Sequence, residues 1–84
     1  DLDVALNVLS SNKYRNAGQV CISPTRFLVH ESVYDKFVDG FKEASENLIV
    51  GDGLLPETKM GPLAHDRRLE AIDDFVKDAV KRGG

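Results

Sequence analysis

The sequence predicts an α/β slice in the order helix, loop, strand, helix, connector, helix, incomplete as an isolated sheet. Three observations predict it. Three segments place apolar residues three and four positions apart, the repeat of one buried helical face. Between the first two lies a short run rich in β-formers, residues 25–30. Its Phe27-Leu28-Val29 centre is apolar without alternation, the pattern of a strand covered on both faces in a parallel sheet. Glycines and prolines punctuate the joins.

The first helix begins at Asp1 or Asp3, whose carboxylates can accept from the free N–H groups of a first turn. Leu2, Ala5, Leu6 and Leu9 fall at i, i+3, i+4 and i+7, and the pattern persists to about Lys13. Residues 16–24 break both periodicities: Gly18 permits backbone angles closed to other residues, and Pro24 pushes Ser23 out of helical geometry. In the second helix Val33, Phe37, Phe41, Ala44 and Leu48 share one face, with Ser32 placed to cap the start. Gly40 inside it costs about 1 kcal/mol relative to alanine, which predicts a packing reason. Residues 49–62 form a connector longer than the usual loop, which predicts either a function or a neighbour to pack on. The last helix runs from about Asp66 to Lys81, with Leu69, Ile72, Val76 and Ala79 aligned and Gly83 as its stop. In a compact monomer the core should gather Leu6, Leu9, Phe27, Val29, Phe37, Phe41, Ile72 and Val76.

A chain of 84 residues holds one domain at most, and one core of this size supplies only about 3–5 kcal/mol. With no Trp and six aromatics, one strand and no Met at the start, it reads as a piece of something larger. The net charge of −3 gives no basic footprint for a phosphate backbone, which argues against nucleic acid as a partner. The longest apolar runs fall far short of the roughly 20 residues that a membrane span needs. There is one cysteine, Cys21, so no intrachain disulfide can close. His30 and His65 stand too far from it in sequence to suggest a structural metal site. Cysteine use of this kind fits a reducing compartment and a cytoplasmic location, although a targeting segment upstream would be outside these residues.

Cys21 is the only strong nucleophile, at the end of a glycine-containing loop where backbone N–H groups can face a reacting oxygen. A lone cysteine is by itself more often an inert buried apolar residue than a catalyst. Its neighbours change that reading. Asn16-Ala17-Gly18-Gln19-Val20-Cys21 resembles the Asn-x-Gly-Gln-x-Cys signature of the aldehyde dehydrogenase superfamily. The resemblance extends through Asp1-Leu2-Asp3 with Ala5, residues 26–37, Val50-Gly51-Asp52, Pro56-Glu57-Thr58 and Met60-Gly61-Pro62, which together span the chain in order. Ser23 departs slightly, standing where the family prefers Ala, Gly or Cys.

The resemblance implies a slice of the aldehyde dehydrogenase catalytic domain over residues 1–84, with the cofactor-binding domain absent. It implies an NAD(P)-dependent parent enzyme in which Cys21 attacks the aldehyde to form a thiohemiacetal. Hydride transfer to the nicotinamide then leaves a thioester, which water hydrolyses with help from a glutamate. The Cys21 backbone N–H is implied as an oxyanion donor, and Asn16, Gly18 and Gln19 as supports of the loop. The general base and the second oxyanion donor, an asparagine other than Asn16, belong to upstream sequence. Arg15 matches a position that holds the distal carboxylate in relatives oxidising succinate semialdehyde; by its own pattern it equally closes the first helix. Arg68 lies in a region that approaches the cofactor ribose in some relatives, though a helical arginine is most often a solvated charge. The partners implied are a small-molecule aldehyde, NAD or NADP, and further copies of the parent as a dimer or tetramer. The residues 1–84 alone should be inactive. The alternative function is a catalytically silent relative serving as a structural or binding protein.

Overall fold

A computed structural model describes all residues from Asp1 to Gly84. Three helices carry the chain: α1 (Leu2–Tyr14), α2 (Tyr34–Glu46) and α3 (Asp66–Lys81). A tight left-handed turn, Arg15–Gly18, follows α1, and a 3-10 turn, Glu31–Val33, leads into α2. Of the two capping candidates at the start of α1, Asp1 serves: its carboxylate accepts from the N–H groups of Asp3 and Val4 at 3.1 and 3.2 Å.

The start of α2 differs from expectation. The 3-10 turn precedes the helix, so the cap moves upstream, and His30 Nδ1 rather than Ser32 accepts the first free N–H, that of Ser32, at 3.2 Å. Gly83 does stop α3. At φ +91° it lets its own N–H reach Val80 O and that of Gly84 reach Ala79 O, at 3.0 and 2.9 Å.

Helices α1 and α2 pack on each other around Phe37, the only buried residue. Phe27, Phe37 and Phe41 form an aromatic cluster with ring centroids 5.1–5.9 Å apart, and Tyr14 joins Phe41 at 6.1 Å. Leu6 and Leu9 are half-buried beside them.

Two expectations are corrected, one about the core and one about the strand. Helix α3 touches neither of the other helices, so Ile72 and Val76 stay exposed; their apolar face has no partner within residues 1–84. The predicted strand is not formed either. No N–H of residues 25–30 donates to another backbone group, and a strand exists only through its ladder. The segment forms no regular element; Phe27 and Val29 are half-buried and Leu28 is wholly exposed, so the run is not covered on both sides. The only β pairing is an isolated parallel bridge between Val50 and Met60, which folds the connector back on itself.

These gaps show in the dimensions. The accessible surface is 7235 Å2, against about 5,000 Å2 for a compact monomer of this mass. The radius of gyration is 14.4 Å, against about 12 Å for a compact chain of this length. The structure is a helical pair with two loosely held flanks. No helix is long and apolar enough to cross a membrane.

Candidate active site

The loop between α1 and Pro24 is built from an unusual backbone. Asn16 and Ala17 take left-handed angles, φ 51° and 55°, and Gly18 follows at φ +77°. Asparagine tolerates this region and glycine is free in it, whereas Ala17 is strained by about 1–2 kcal/mol. A β-carbon at Gly18 would also come within 3.3 Å of Lys13 O. The turn therefore presses against the end of α1. Asn16 Nδ2 donates to Gln19 O at 3.2 Å, and the Gln19 N–H returns to Asn16 O at 3.1 Å. The Gln19 side chain is exposed and makes no hydrogen bond within the chain; its link to Asn16 is through its backbone.

Val20 to Ser23 form a second turn, closed by the Ser23 N–H donating to Val20 O at 2.9 Å. Cys21 occupies its first central position, with an exposed thiol. The Cys21 N–H has no acceptor within the chain. A nucleophile and a free donor thus belong to one residue at the tip of a turn, the arrangement that accepts the charge developing on an attacked carbonyl.

Lys13 holds the far end of the loop. Its Nζ donates to Pro24 O at 3.0 Å, and its carbonyl accepts from Ser23 Oγ at a long 3.4 Å. The serine that departs from the signature thus adds a weak second tie to α1. Lys13 was not legible as a loop clamp, because a lysine in the last turn of a helix ordinarily reads as a charge favourable to the helix dipole. Tyr14 was also missed. Its hydroxyl lies 2.5 Å from Ser45 Oγ, which donates to Phe41 O at 2.7 Å, so the end of α1 is bound to α2 just before the loop begins.

Arg15 and Cys21 stand at opposite ends of this loop. Arg15 is the C-cap of α1 and lines a cleft of about 590 Å3 between the ends of α1 and α2, which Lys59 of the connector also lines. Cys21 does not line that cleft. Arg68 lies in the first half of α3, exposed, without an ion pair, and on a helix that touches neither α1 nor α2. The structure brings Asn16, Gly18, Gln19 and Cys21 into one loop and leaves Arg68 apart from it.

The loop thus presents an exposed thiol on a strained, glycine-supported turn, and the comparison with known proteins gives the chain a family. Residues 1–84 match the Aldehyde dehydrogenase family, and the chain belongs to it. It is 45% identical over 83 residues to the mitochondrial succinate-semialdehyde dehydrogenase of Arabidopsis thaliana. It is likewise 45% identical over 85 residues to the 4-(hydroxymethyl)benzenesulfonate dehydrogenase of Comamonas testosteroni, and 40% identical over 83 residues to the 3-sulfolactaldehyde dehydrogenase of Priestia aryabhattai. Each comparison covers 99% of this chain but only 16–18% of the relative, so the chain spans less than a fifth of their length.

Proposed function

We propose that residues 1–84 are the nucleophile-bearing slice of the catalytic domain of an NAD(P)-dependent aldehyde dehydrogenase, and that Cys21 is its catalytic residue. The single observation that carries this reading is the Cys21 turn, where an exposed thiol and an unpaired N–H sit on the same residue. As a thiolate, Cys21 Sγ forms the bond to the aldehyde carbon while the carbonyl π electrons move onto oxygen. The Cys21 N–H donates to that oxygen and stabilises the resulting thiohemiacetal anion. Asn16, through its amide, holds the turn that aims the thiol.

The residues present do not fit a dinucleotide. They contain no strand leading through a glycine-rich turn into a helix, and Arg68 stands apart from the Cys21 loop. The chemistry assigned to this chain therefore ends at the thiohemiacetal. Residues 25–30, with their unpaired backbone N–H groups, support the reading of an α/β slice whose strand is completed by the rest of the catalytic domain.

The substrate proposed is an aldehyde with an anionic group at its far end. Two of the named relatives carry a sulfonate in their substrate's name and the third a succinate semialdehyde, and Arg15 offers a guanidinium free of any ion pair. The test is Cys21→Ala in the full-length protein. It should abolish NAD(P)-linked aldehyde oxidation and leave the unfolding midpoint nearly unchanged. Retained activity in that variant would sink the assignment, and a wild-type protein inactive on every aldehyde would favour a silent relative.

A further inference from the structure

The geometry points to Lys59 as a second anion-binding residue, which with Arg15 forms a site for the distal group of the aldehyde and extends it from carboxylates to sulfonates. The inference rests on the substrate reading above and adds to it a residue from another part of the chain.

The cleft at the end of α1 is lined by two cations and no carboxylate, in a chain whose net charge is −3. Neither Arg15 nor Lys59 forms an ion pair. Two like charges facing one cavity without a counter-charge repel each other, and an anion between them removes that cost. The wall supplies further donors. Asn7 and Ser11 stand one turn apart on α1, Arg15 follows just past its end, and all three line the cleft. Neither the Asn7 amide nor the Ser11 hydroxyl is engaged in a hydrogen bond within the chain, whereas Tyr14 is already committed to Ser45.

The long connector acquires a purpose in this arrangement. The Val50–Met60 bridge, together with the Lys59 N–H donating to Ile49 O at 2.9 Å, pins the backbone of Lys59 beside the end of α2. The loop of residues 49–62 thus returns a lysine to the cleft from far along the sequence.

The chemistry separates the two cations. A guanidinium receives a carboxylate through two parallel hydrogen bonds and fills both of its oxygens. A sulfonate has a third oxygen, and an ammonium, as a point charge with freely turning donors, suits that third position. Lys59 therefore matters more for a sulfonate than for a carboxylate, whereas Arg15 matters for both.

The experiment measures kcat and KM of the full-length protein on three aldehydes of similar length, bearing a sulfonate, a carboxylate or no charge. Lys59→Met should lower the ratio of kcat/KM for the sulfonated over the neutral aldehyde by about 10- to 100-fold, mostly through KM, and the carboxylate ratio by less. Lys59→Arg should restore most of the loss. Arg15→Met should lower both ratios. Inorganic sulfate should compete with the sulfonated aldehyde, and its inhibition should weaken in Lys59→Met by a similar factor. If Lys59→Met spares both ratios while Arg15→Met lowers them, the role of Lys59 falls and that of Arg15 stands. If sulfate inhibits without competing, the cleft binds a free anion apart from the substrate and the inference falls. If the wild-type protein shows no preference for either charged aldehyde, the substrate reading and this inference fall together.

Discussion

A β-carbon at Gly40 would stand 2.5 Å from Leu6 Cδ1. That one distance accounts for a glycine inside α2, where helix propensity alone disfavours it by about 1 kcal/mol. The two helices approach closely where Leu6 lies over Gly40, and the helical pair owes its contact to the missing side chain. Gly40→Ala gains the propensity but forces Leu6 aside, at a cost of about 1–3 kcal/mol. The expected result is a net loss near 1 kcal/mol in urea unfolding. In a Leu6→Ala background the clash is gone, and the same substitution should become stabilising by about 1 kcal/mol. An unchanged sign in the double variant would show that Leu6 is not the obstacle.

The left-handed turn before Cys21 makes opposite predictions for two adjacent residues. Gly18→Ala meets both an unfavourable φ and the Lys13 carbonyl, so it should cost about 1–3 kcal/mol. Ala17→Gly removes strain at φ 55° while adding freedom to the unfolded chain, and these effects nearly cancel. Unfolding midpoints of the two variants should therefore differ by more than 1 kcal/mol in the stated order. Equal midpoints would mean that the turn is not held in this conformation in solution.

How much of this was legible in the sequence follows from which interactions are local. The bounds of α3 could be read from periodicity and Gly83, and the cap of α1 narrowed to Asp1 or Asp3, because these depend on residues within a few positions of one another. The motif ending in Cys21 made the family legible, though its backbone was not: nothing about an alanine announces φ 55°. Residues 25–30 have the composition of a strand, but a strand requires a partner, and local composition cannot supply one. Lys59 and the ends of α1 and α2 meet through a loop closure that no short-range pattern encodes.

Those unpaired residues give the next prediction. Amide hydrogen exchange at residues 26–30 should be fast in the 84-residue chain, since none of these N–H groups is hydrogen-bonded. The same amides should be strongly protected in the full-length protein, where a sheet can pair them. Fast exchange in both would remove the case for a strand and with it the α/β reading of this slice.

Helix α3 invites a similar comparison. Its own support comes from the Gly83 stop and from the exposed pairs Asp73–Lys77 and Asp78–Arg82, each worth only about 0.3–0.5 kcal/mol. Phe75 is exposed on it, and truncating a side chain that touches no core costs little. Phe75→Ala should leave the 84-residue chain within about 0.5 kcal/mol of its starting stability. In the full-length protein, if the apolar face of α3 is covered, the loss should approach the roughly 3–5 kcal/mol of a buried phenylalanine. Urea titrations of both forms would decide it, and equal small losses would show that the face remains open.

Lys13 reaches past the whole Cys21 loop to hold its far end, and its removal separates positioning from folding. Lys13→Met keeps the apolar stem and removes only the donor to Pro24 O, a bond worth about 0.5–1.5 kcal/mol to stability. The helix cap at Asp1, the aromatic cluster and the Tyr14–Ser45 bond all lie outside this contact, so the fold should survive. What changes is the freedom of the turn that presents the thiol. A nucleophile displaced by about 1 Å can lose around a hundredfold in rate, far more than the stability change accounts for. In the full-length protein Lys13→Met should therefore lower kcat well beyond the shift in its unfolding midpoint, and labelling of Cys21 by a small thiol reagent should continue. Lys13→Arg, which retains a donor of similar reach, should recover part of the rate. A loss of kcat no larger than the loss of folded protein would reduce Lys13 to an ordinary stabilising contact.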